Sequence, residues 1–261
     1  MEAPDPKVNQ NRWRDTILKI RQDRKDKLLS PEDAWNLAMK TEQSYLQAGV
    51  PPTSDILNAT LQLCHSLKQS NLIIEKFRKL GIKPSTTTFN VLISQVTYQN
   101  EAKEIYDTMI REGLRPNTYT LNGFMPFCAT VLEGRIIIKM MQQYNVQPNV
   151  QTYNGLISMA KGTQEGQKIL EEMEQKYIVP NPITYNTLIA TADDFQDSEK
   201  IYQAMKKNGF QPTLNTLVTL LKKAVFRSDV AKVEQERVLL KFPGTFIWER
   251  LYGEKMKSTM L

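Results

Sequence analysis

Apolar residues recur along this chain at a fixed interval of 32 residues. Within each interval they form two groups with helical spacing, so the pattern predicts a pair of amphipathic helices, A and B. Two such helices cannot bury their apolar faces alone, and each pair therefore has to stack on its neighbours. The three apolar columns are Leu57, Phe89, Leu121, Tyr153, Tyr185 and Leu217; Leu61, Ile93, Met125, Ile157, Ile189 and Leu221; and Phe77, Met109, Met141, Met173 and Met205.

Polar and turn-forming residues keep the same step and mark the helix ends. A threonine lies three residues into every unit but the first, which has Ile56, and is predicted to cap helix A. Helix B is predicted at 101–112, 165–176 and 197–208, and a glycine column closes the units at Gly49, Gly81, Gly113 and Gly209, with Asn145 and Tyr177 as substitutes. The units are residues 54–85, 86–117, 118–149, 150–181 and 182–213.

These patterns predict an all-α fold, a right-handed superhelical solenoid of stacked helix-turn-helix repeats. Five repeats cover residues 54–213, and a degenerate sixth covers 214–241, with Val218 in place of a recurring asparagine. Residues 30–53 are predicted to form a capping helix that begins at Ser30-Pro31. Residues 1–29 are predicted to form a basic extension, with a flexible lead over 1–11 and then a helix, and residues 242–261 an aromatic-rich cap or tail.

The net charge of +6 is compatible with a polyanionic partner. Most of it lies near the amino terminus, because residues 7–29 carry eight Lys or Arg against three Asp. The segment from Arg12 to Leu29 is therefore a phosphate-binding arm, a helix that docks on a partner, or a solvated capping helix. The segment from Phe242 to Tyr252 is interpreted as a cap on the last repeat, with an anchor for a partner protein as the alternative.

The sequence contains no recognisable catalytic or metal-binding motif. His65 is the single histidine, and its position next to Cys64 lacks metal-site spacing. Cys64 and Cys128 are isolated, which favours a reducing compartment, and no apolar run approaches the roughly 20 residues of a membrane span. We therefore expect no enzymatic activity, cofactor, metal or membrane contact. Three carboxylates of one helix B are interpreted as a solvated face: Glu171, Glu172 and Glu174.

The phrase T-Y-N-T-L-I at residues 184–189, together with G-x-x-P-N at a unit's end, resembles the pentatricopeptide repeat. The match covers residues 54–213 well and 34–240 loosely, although these units are shorter than the family's usual unit. Tetratricopeptide repeats lack this phrase. The resemblance implies an organellar RNA-binding protein, in which each repeat reads one base through a residue near the start of helix A and the last residue of the unit.

Carried over to this chain, the resemblance implies five base-reading pairs. An amide offers both a donor and an acceptor to a base edge, and in the family asparagine at both positions favours pyrimidines, above all cytosine. The family also places a wedging side chain three residues before the first asparagine, where Tyr119 and Ile183 suit stacking. The alternative is that the asparagines bond free amides in the first turn of their own helices. The pairs are Asn58 with Ser85, Asn90 with Asn117, Asn122 with Asn149, Asn154 with Asn181, and Asn186 with Thr213.

The resemblance thus implies a non-catalytic adaptor for single-stranded RNA, an mRNA or an rRNA, in a mitochondrion or alternatively a plastid. Five repeats specify a word of about five bases, which recurs about once per thousand positions and cannot select one transcript. The alternative function is a structural subunit of a large ribonucleoprotein, such as an organellar ribosome. Its protein-docking elements would be the segments from Arg12 to Leu29 and from Phe242 to Tyr252.

Overall fold

The computed structural model describes residues 6–258, and every regular element in that range is helical. This confirms the predicted all-α fold class. A short 3-10 turn covers Met125–Phe127. The α-helices are α1 (Pro6–Lys25), α2 (Pro31–Gln47), α3 (Ser54–Leu61), α4 (Leu67–Lys79), α5 (Thr86–Ile93), α6 (Gln99–Arg111), α7 (Thr118–Asn122), α8 (Val131–Gln143), α9 (Val150–Ser158), α10 (Thr163–Gln175), α11 (Pro182–Thr191), α12 (Phe195–Lys207), α13 (Leu214–Lys223), α14 (Arg227–Leu239) and α15 (Phe246–Ser258).

The chain divides into two compact units, Met1–Phe127 and Cys128–Leu261. In the first unit, α1, α3, α5 and α7 pack side by side as a row of A helices, and α2, α4 and α6 pack behind them as B helices. The apolar columns are buried between the two layers, where Trp13, Ile17, Leu57 and Phe77 have no exposed surface. Stacking thus supplies the core that no single hairpin could form.

The second unit repeats this arrangement. Helices α9, α11, α13 and α15 form its row of A helices, and α8, α10, α12 and α14 form its B layer. Tyr153, Met173 and Met205 are fully buried between the layers. In each unit the open face is the side of the A row that the B helices leave uncovered.

Each A row contains one helix that the 32-residue pattern does not predict. Helix α1 packs against α2 and α3 as α3 packs against α4 and α5, so a further hairpin precedes the predicted repeats. The prediction of a flexible lead over residues 1–11 is therefore wrong from Pro6 onward, because α1 starts there. Residues 1–5 of that lead, and residues 259–261 of the predicted tail, lie outside the described part of the chain.

Helix α15 takes the place of an additional A helix at the other end. Its first turn is capped by Thr245, whose hydroxyl accepts a hydrogen bond from the Trp248 amide at 3.2 Å. Thr245 lies one 32-residue step after Thr213, which caps α13 in the same way. The Lys255 ammonium donates to the Ala224 carbonyl, again one step after the equivalent bond from Lys223 to Ala192. The repeat therefore continues beyond the residues in which its sequence signature is visible.

The A helices begin at a residue of the preceding unit. The Asn181 side chain accepts a hydrogen bond from the Thr184 amide at 3.0 Å, and the Thr184 hydroxyl accepts one from the Asn181 amide at 3.0 Å. This reciprocal capping box makes asparagine the N-cap and places threonine at the third helical position. The prediction that the threonine is the N-cap is therefore wrong. The same box forms at α5, α7, α9 and α13.

The chain leaves the B helices through residues in the left-handed conformation. Gly49, Gly81, Gly113 and Gly209 have φ between 73° and 83°, as the glycine column predicts, and Asn145 and Tyr177 adopt φ 57° in the same column. Lys241, one step after Gly209, has φ 56°. Tyr177 is 94% exposed, so almost no packing offsets the strain of its backbone.

Replacing Tyr177 with glycine is expected to stabilise the second unit. The left-handed conformation costs a non-glycine residue about 1–2 kcal/mol, whereas glycine adds about 0.4–1 kcal/mol of unfolded-chain entropy. The net gain should be about 0.5–1 kcal/mol, seen as a higher urea midpoint with an unchanged slope. Tyr144→Gly is the control, because Tyr144 ends α8 with φ −89°, and it should destabilise the protein. A lower midpoint for Tyr177→Gly would show that this side chain makes a stabilising contact.

Candidate nucleic-acid interface

The predicted base-reading asparagines link neighbouring A helices. In the first unit, the Thr88 hydroxyl donates a hydrogen bond to Asn58 Oδ1 at 2.8 Å. One step along the row, the Thr120 hydroxyl donates to Asn90 Oδ1 at 2.6 Å. Each threonine is fully buried, and its oxygen also closes the capping box of its own helix. One hydroxyl thus fixes both the start of a helix and the contact with the preceding helix.

The second unit contains the same link between α9 and α11, where the Thr184 hydroxyl donates to Asn154 Oδ1 at 2.7 Å. The next junction differs. Asn186 Oδ1 is buried and accepts no hydrogen bond from the described residues, while the Thr213 and Thr216 hydroxyls lie 3.1 Å apart. The step from α11 to α13 therefore lacks the link that joins α9 to α11.

The side chains of the Asn90–Asn117 and Asn154–Asn181 pairs are in direct contact. Asn90 Nδ2 donates to Asn117 Oδ1 at 3.2 Å, and Asn154 Nδ2 donates to Asn181 Oδ1 at 3.5 Å. The oxygens of Asn117 and Asn181 also accept the capping bonds of α7 and α11. The expectation that each amide offers an acceptor to a base is therefore corrected, because the stacking of the repeats uses these oxygens.

What remains available at these two pairs is a set of donors. The Nδ2 groups of Asn117 and Asn181 donate no hydrogen bond within the range 6–258, and Asn117 is exposed. The alternative, that the helix A asparagines bond the first-turn amides of their own helices, is wrong for Asn58, Asn90 and Asn154. Their oxygens accept from the next helix instead. Each pair has a structural role and also presents N–H groups on the open face.

The other predicted residues take related positions. Ser85 and Thr213 cap α5 and α13 with shorter side chains, and Asn149 caps α9. Asn122 is only 4% exposed and is the most buried member of its column. The burial of Asn122 leaves little of this side chain accessible to a base.

The predicted stacking positions lie on the open face. Tyr119 is 70% exposed in the first turn of α7, and Ile183 is 61% exposed in the first turn of α11. Sequence reasoning missed Ile247, which lies in the same column in α15 and is 68% exposed. Its signal is the 32-residue spacing that runs from Ile183 through Asn215 to Ile247, beyond the sixth repeat. The remaining exposed members of this column are Asp55, Thr87, Gln151 and Asn215.

Glu172 does not belong to a solvated face, so that interpretation is wrong for this residue. Its carboxylate lies 2.8 Å from Arg135 of α8 and 3.1 Å from Lys176, and it accepts a hydrogen bond from the Tyr153 hydroxyl at 3.1 Å. Burial acts to raise the pKa of Glu172, but the hydrogen bonds from Arg135 and Lys176 outweigh burial and lower it. This carboxylate therefore ties α8, α9 and α10 together.

The other candidate chemical groups are passive. His65 is exposed and makes an edge-type ring contact with Trp35, with centroids 6.4 Å apart, and partial burial lowers its pKa. Burial raises the pKa of the Cys64 thiol to about 11 and also raises that of Cys128, so neither is a thiolate at neutral pH. Within residues 6–258, no three His, Cys, Asp or Glu side chains could hold a metal ion. No helix in that range is both long and apolar enough to cross a membrane.

One solved structure agrees with this architecture at a TM-score above 0.5. The crystal structure of the pentatricopeptide repeat protein PPR10 from maize matches with a TM-score of 0.54 and 21% identity over 87% of this chain and 37% of that chain. PPR10 in complex with an 18-nt psaJ RNA element matches at 0.47 and 19% identity, over 85% of this chain and 39% of that one. The chain thus spans less than half the length of PPR10.

A third match is the PPR domain of Arabidopsis thaliana protein-only RNase P 1 in complex with tRNA, at a TM-score of 0.46 and 20% identity. It covers 61% of this chain and 90% of that one. No curated protein matches the sequence. A family model, the pentatricopeptide repeat domain, matches residues 72–130 and 136–194, which lie within the stacked hairpins described above. The chain therefore contains pentatricopeptide repeats, within residues 72–130 and 136–194.

Proposed function

We propose that this protein is a non-catalytic binder of single-stranded RNA that reads one base per repeat and prefers pyrimidines. The observation that carries the proposal is the outward-facing N–H donors of the Asn90–Asn117 and Asn154–Asn181 pairs. Their oxygens are occupied by the stack, so a base must offer acceptors to them. Cytosine presents two adjacent acceptors, O2 and N3, whereas uracil carries a hydrogen on N3. The donor arrangement therefore favours cytosine over uracil.

Stacking complements this readout. Tyr119 and Ile183 lie on the open face of their helices, three residues before an asparagine of the base-reading column. Aromatic and apolar side chains in such positions contact the faces of unstacked bases without selecting among them. The edges of the bases would contact the amides, and the faces of the bases would contact these side chains. Recognition of single strands uses both kinds of contact.

The short array also bears on where the protein acts. A word of about five bases is too common to define one transcript, so we propose that the protein works within an organellar ribonucleoprotein that supplies the remaining selectivity. On the family resemblance, we propose that it acts in a mitochondrion or alternatively a plastid. A structural role in an organellar ribosome is the second candidate, favoured by the exposed apolar residues of α14, Val238 and Leu239, which a larger assembly would cover.

The test exchanges donors for acceptors. Asn117→Asp/Asn181→Asp retains an oxygen for each helix cap but replaces the outward Nδ2 with a carboxylate oxygen, which suits the N3–H of uracil. Each hydrogen bond is worth about 0.5–1.5 kcal/mol, so two exchanges should shift the ratio of cytidine to uridine affinity about tenfold or more toward uridine. Binding is measured on cytidine-, uridine- and adenosine-rich single strands.

The matched control is Asn100→Asp/Asn145→Asp. Both side chains are exposed and outside the A row, so the net charge changes equally and only overall affinity should fall. An unchanged cytidine-to-uridine ratio in the Asn117→Asp/Asn181→Asp variant would contradict base reading by these amides. Co-sedimentation of the native protein with ribosomal particles at high salt, combined with no base preference, would favour the structural role.

A further inference from the structure

We infer that α1 carries a second RNA-binding element, a basic stripe of Arg14, Arg21 and Lys25 that holds backbone phosphates beside the first repeat. The inference rests on the proposed RNA-binding function and adds a sequence-independent contact to it. It assigns the amino-terminal positive charge to nucleic acid, and not to an acidic protein partner.

Helix α1 lies beside α3. Gln10 Nε2 donates to the Pro51 carbonyl at 3.1 Å, just before α3, and Arg24 Nη1 donates to the Leu63 carbonyl at 3.0 Å, just after it. The two helices therefore run in the same direction, side by side along the length of α3. An RNA strand that follows the A row of the first unit would reach α1 next.

Buried and hydrogen-bonded side chains define which sides of α1 face α3 and α2. Ile17 is buried and lies between Gln10 and Arg24 at heptad spacing, so this side of the helix faces α3. Trp13 is buried against Tyr45 of α2, with ring centroids 5.4 Å apart, and therefore marks the side that faces the B layer. At about 100° per residue, Trp13 lies about 40° to one side of Ile17.

The basic stripe lies on the other side of Ile17, about 40–80° from it by the same geometry. This direction borders α3 and points away from α2, so the stripe lies on the open face of the A row. Arg21 and Lys25 are exposed, and Arg14 is partly exposed. The stripe extends over about 17 Å of helix, which suits a contact along a strand.

The acidic residues of α1 lie away from the basic stripe. The three aspartates of α1 and the turn after it, Asp15, Asp23 and Asp26, lie about 120–180° from Ile17, away from the open face. Arg14 approaches Asp15 at 3.2 Å, while Arg21 and Lys25 have no carboxylate within 4.0 Å in the described part of the chain. Neighbouring base-reading amides carry no charge, so the row needs such cations to attract a polyanion.

The experiment compares two variants of equal charge. Arg21→Gln/Lys25→Gln removes two members of the stripe, whereas Arg12→Gln/Lys19→Gln removes one arginine and one lysine from the opposite side of the same helix. Affinity for a cytidine-rich strand is measured against salt concentration. Each phosphate contact on single strands contributes about 0.7 to the slope of log affinity against log salt, so the stripe variant should lose about 1.4 from that slope.

At ~0.1 M salt this loss corresponds to about ten- to thirtyfold weaker binding for the stripe variant. The control variant should keep the native slope, and both should keep the native cytidine-to-uridine ratio. Strands extended by several nucleotides at the 5′ or the 3′ end provide a second measurement. The native protein and the control should gain affinity from extension at one end, and the stripe variant should lose that gain.

The outcomes separate this inference from the proposed function. If the native protein shows base preference but the two variants have equal salt slopes and equal gains from strand extension, the basic stripe is overturned and base reading stands. If the native protein binds no RNA, both proposals fail. None of the exchanged side chains is buried, so α1 should remain folded in each variant. Circular dichroism of each variant checks this.

Discussion

The Trp248→Ala variant is expected to lose about 3–5 kcal/mol of stability in the second unit, the usual cost of removing a large buried aromatic side chain. Trp248 is 2% exposed and packs in α15 against the last hairpin. Its indole N–H donates to Glu234 Oε2 at 2.9 Å, and the Arg237 guanidinium lies 5.7 Å from its ring. Truncation would remove this contact surface, and the Glu234–Arg237 ion pair would lose its hydrogen bond from the indole and its contact with the ring.

Two further variants separate the contributions. Trp248→Phe keeps most of the ring but loses the indole donor, so it should cost about 1–2 kcal/mol. Ile247→Ala changes the neighbouring residue, which is 68% exposed, and should stay within about 0.5 kcal/mol of the native protein. Urea unfolding gives the free energies, and hydrogen exchange should show faster opening of α13 and α14 first. Native stability in Trp248→Ala would mean that α15 does not serve as the cap of this unit.

The role of α15 shows where sequence reasoning succeeded and where it stopped. The 32-residue columns predicted the A and B layers because burial imposes apolar residues at fixed positions in every stacked hairpin. At the ends, one neighbour is missing and the constraint relaxes. Helix α15 and its N-cap keep Thr245, Ile247 and Lys255 of the pattern, and α1 keeps none of it. The terminal helices could therefore be assigned to the A rows only from their contacts.

The helix starts illustrate a second limit. Helix α12 begins at Phe195, two residues before the predicted 197, because Asp194 caps it through the Asp197 amide at 2.8 Å. At the A helices, the sequence showed threonine and asparagine at constant spacing but could not tell the N-cap from its reciprocal partner. Both residue types bond backbone amides, and only the extended backbone of the Asn181 position identifies the cap.

In the candidate site, the sequence could not predict which way the amide side chains point. The resemblance predicted which asparagines form pairs, and the contact of Asn90 with Asn117 agrees with the pairing. It did not predict that threonine hydroxyls would occupy the amide oxygens. That depends on the distance between neighbouring A helices, which no single repeat encodes. Structural and recognition roles therefore share one amide, with the oxygen turned to the protein and the nitrogen to the open face.

Removing one of these hydroxyls should affect both roles. Thr184→Val is nearly isosteric, but it leaves the Asn181 amide and Asn154 Oδ1 without a partner at a fully buried position. Each unsatisfied group costs about 1–3 kcal/mol, so the variant should lose about 2–4 kcal/mol by urea unfolding. Thr187→Val is the control, because its hydroxyl bonds only the Ile183 carbonyl of the same helix, and it should change stability little.

The effect on recognition follows from the freed oxygen. Without the Thr184 hydroxyl, the Asn154 amide keeps only the long bond from its Nδ2 to Asn181 Oδ1, at 3.5 Å, so it can turn and present either end to a base. Thr184→Val should therefore reduce the preference for cytidine over uridine at the base position read by the Asn154–Asn181 pair, while Thr187→Val should leave it intact. A double-mutant cycle with Asn154→Ala should give a coupling of about 0.5–3 kcal/mol. A coupling near zero, with native base preference, would show that the threonine neither supports the stack nor orients the amide.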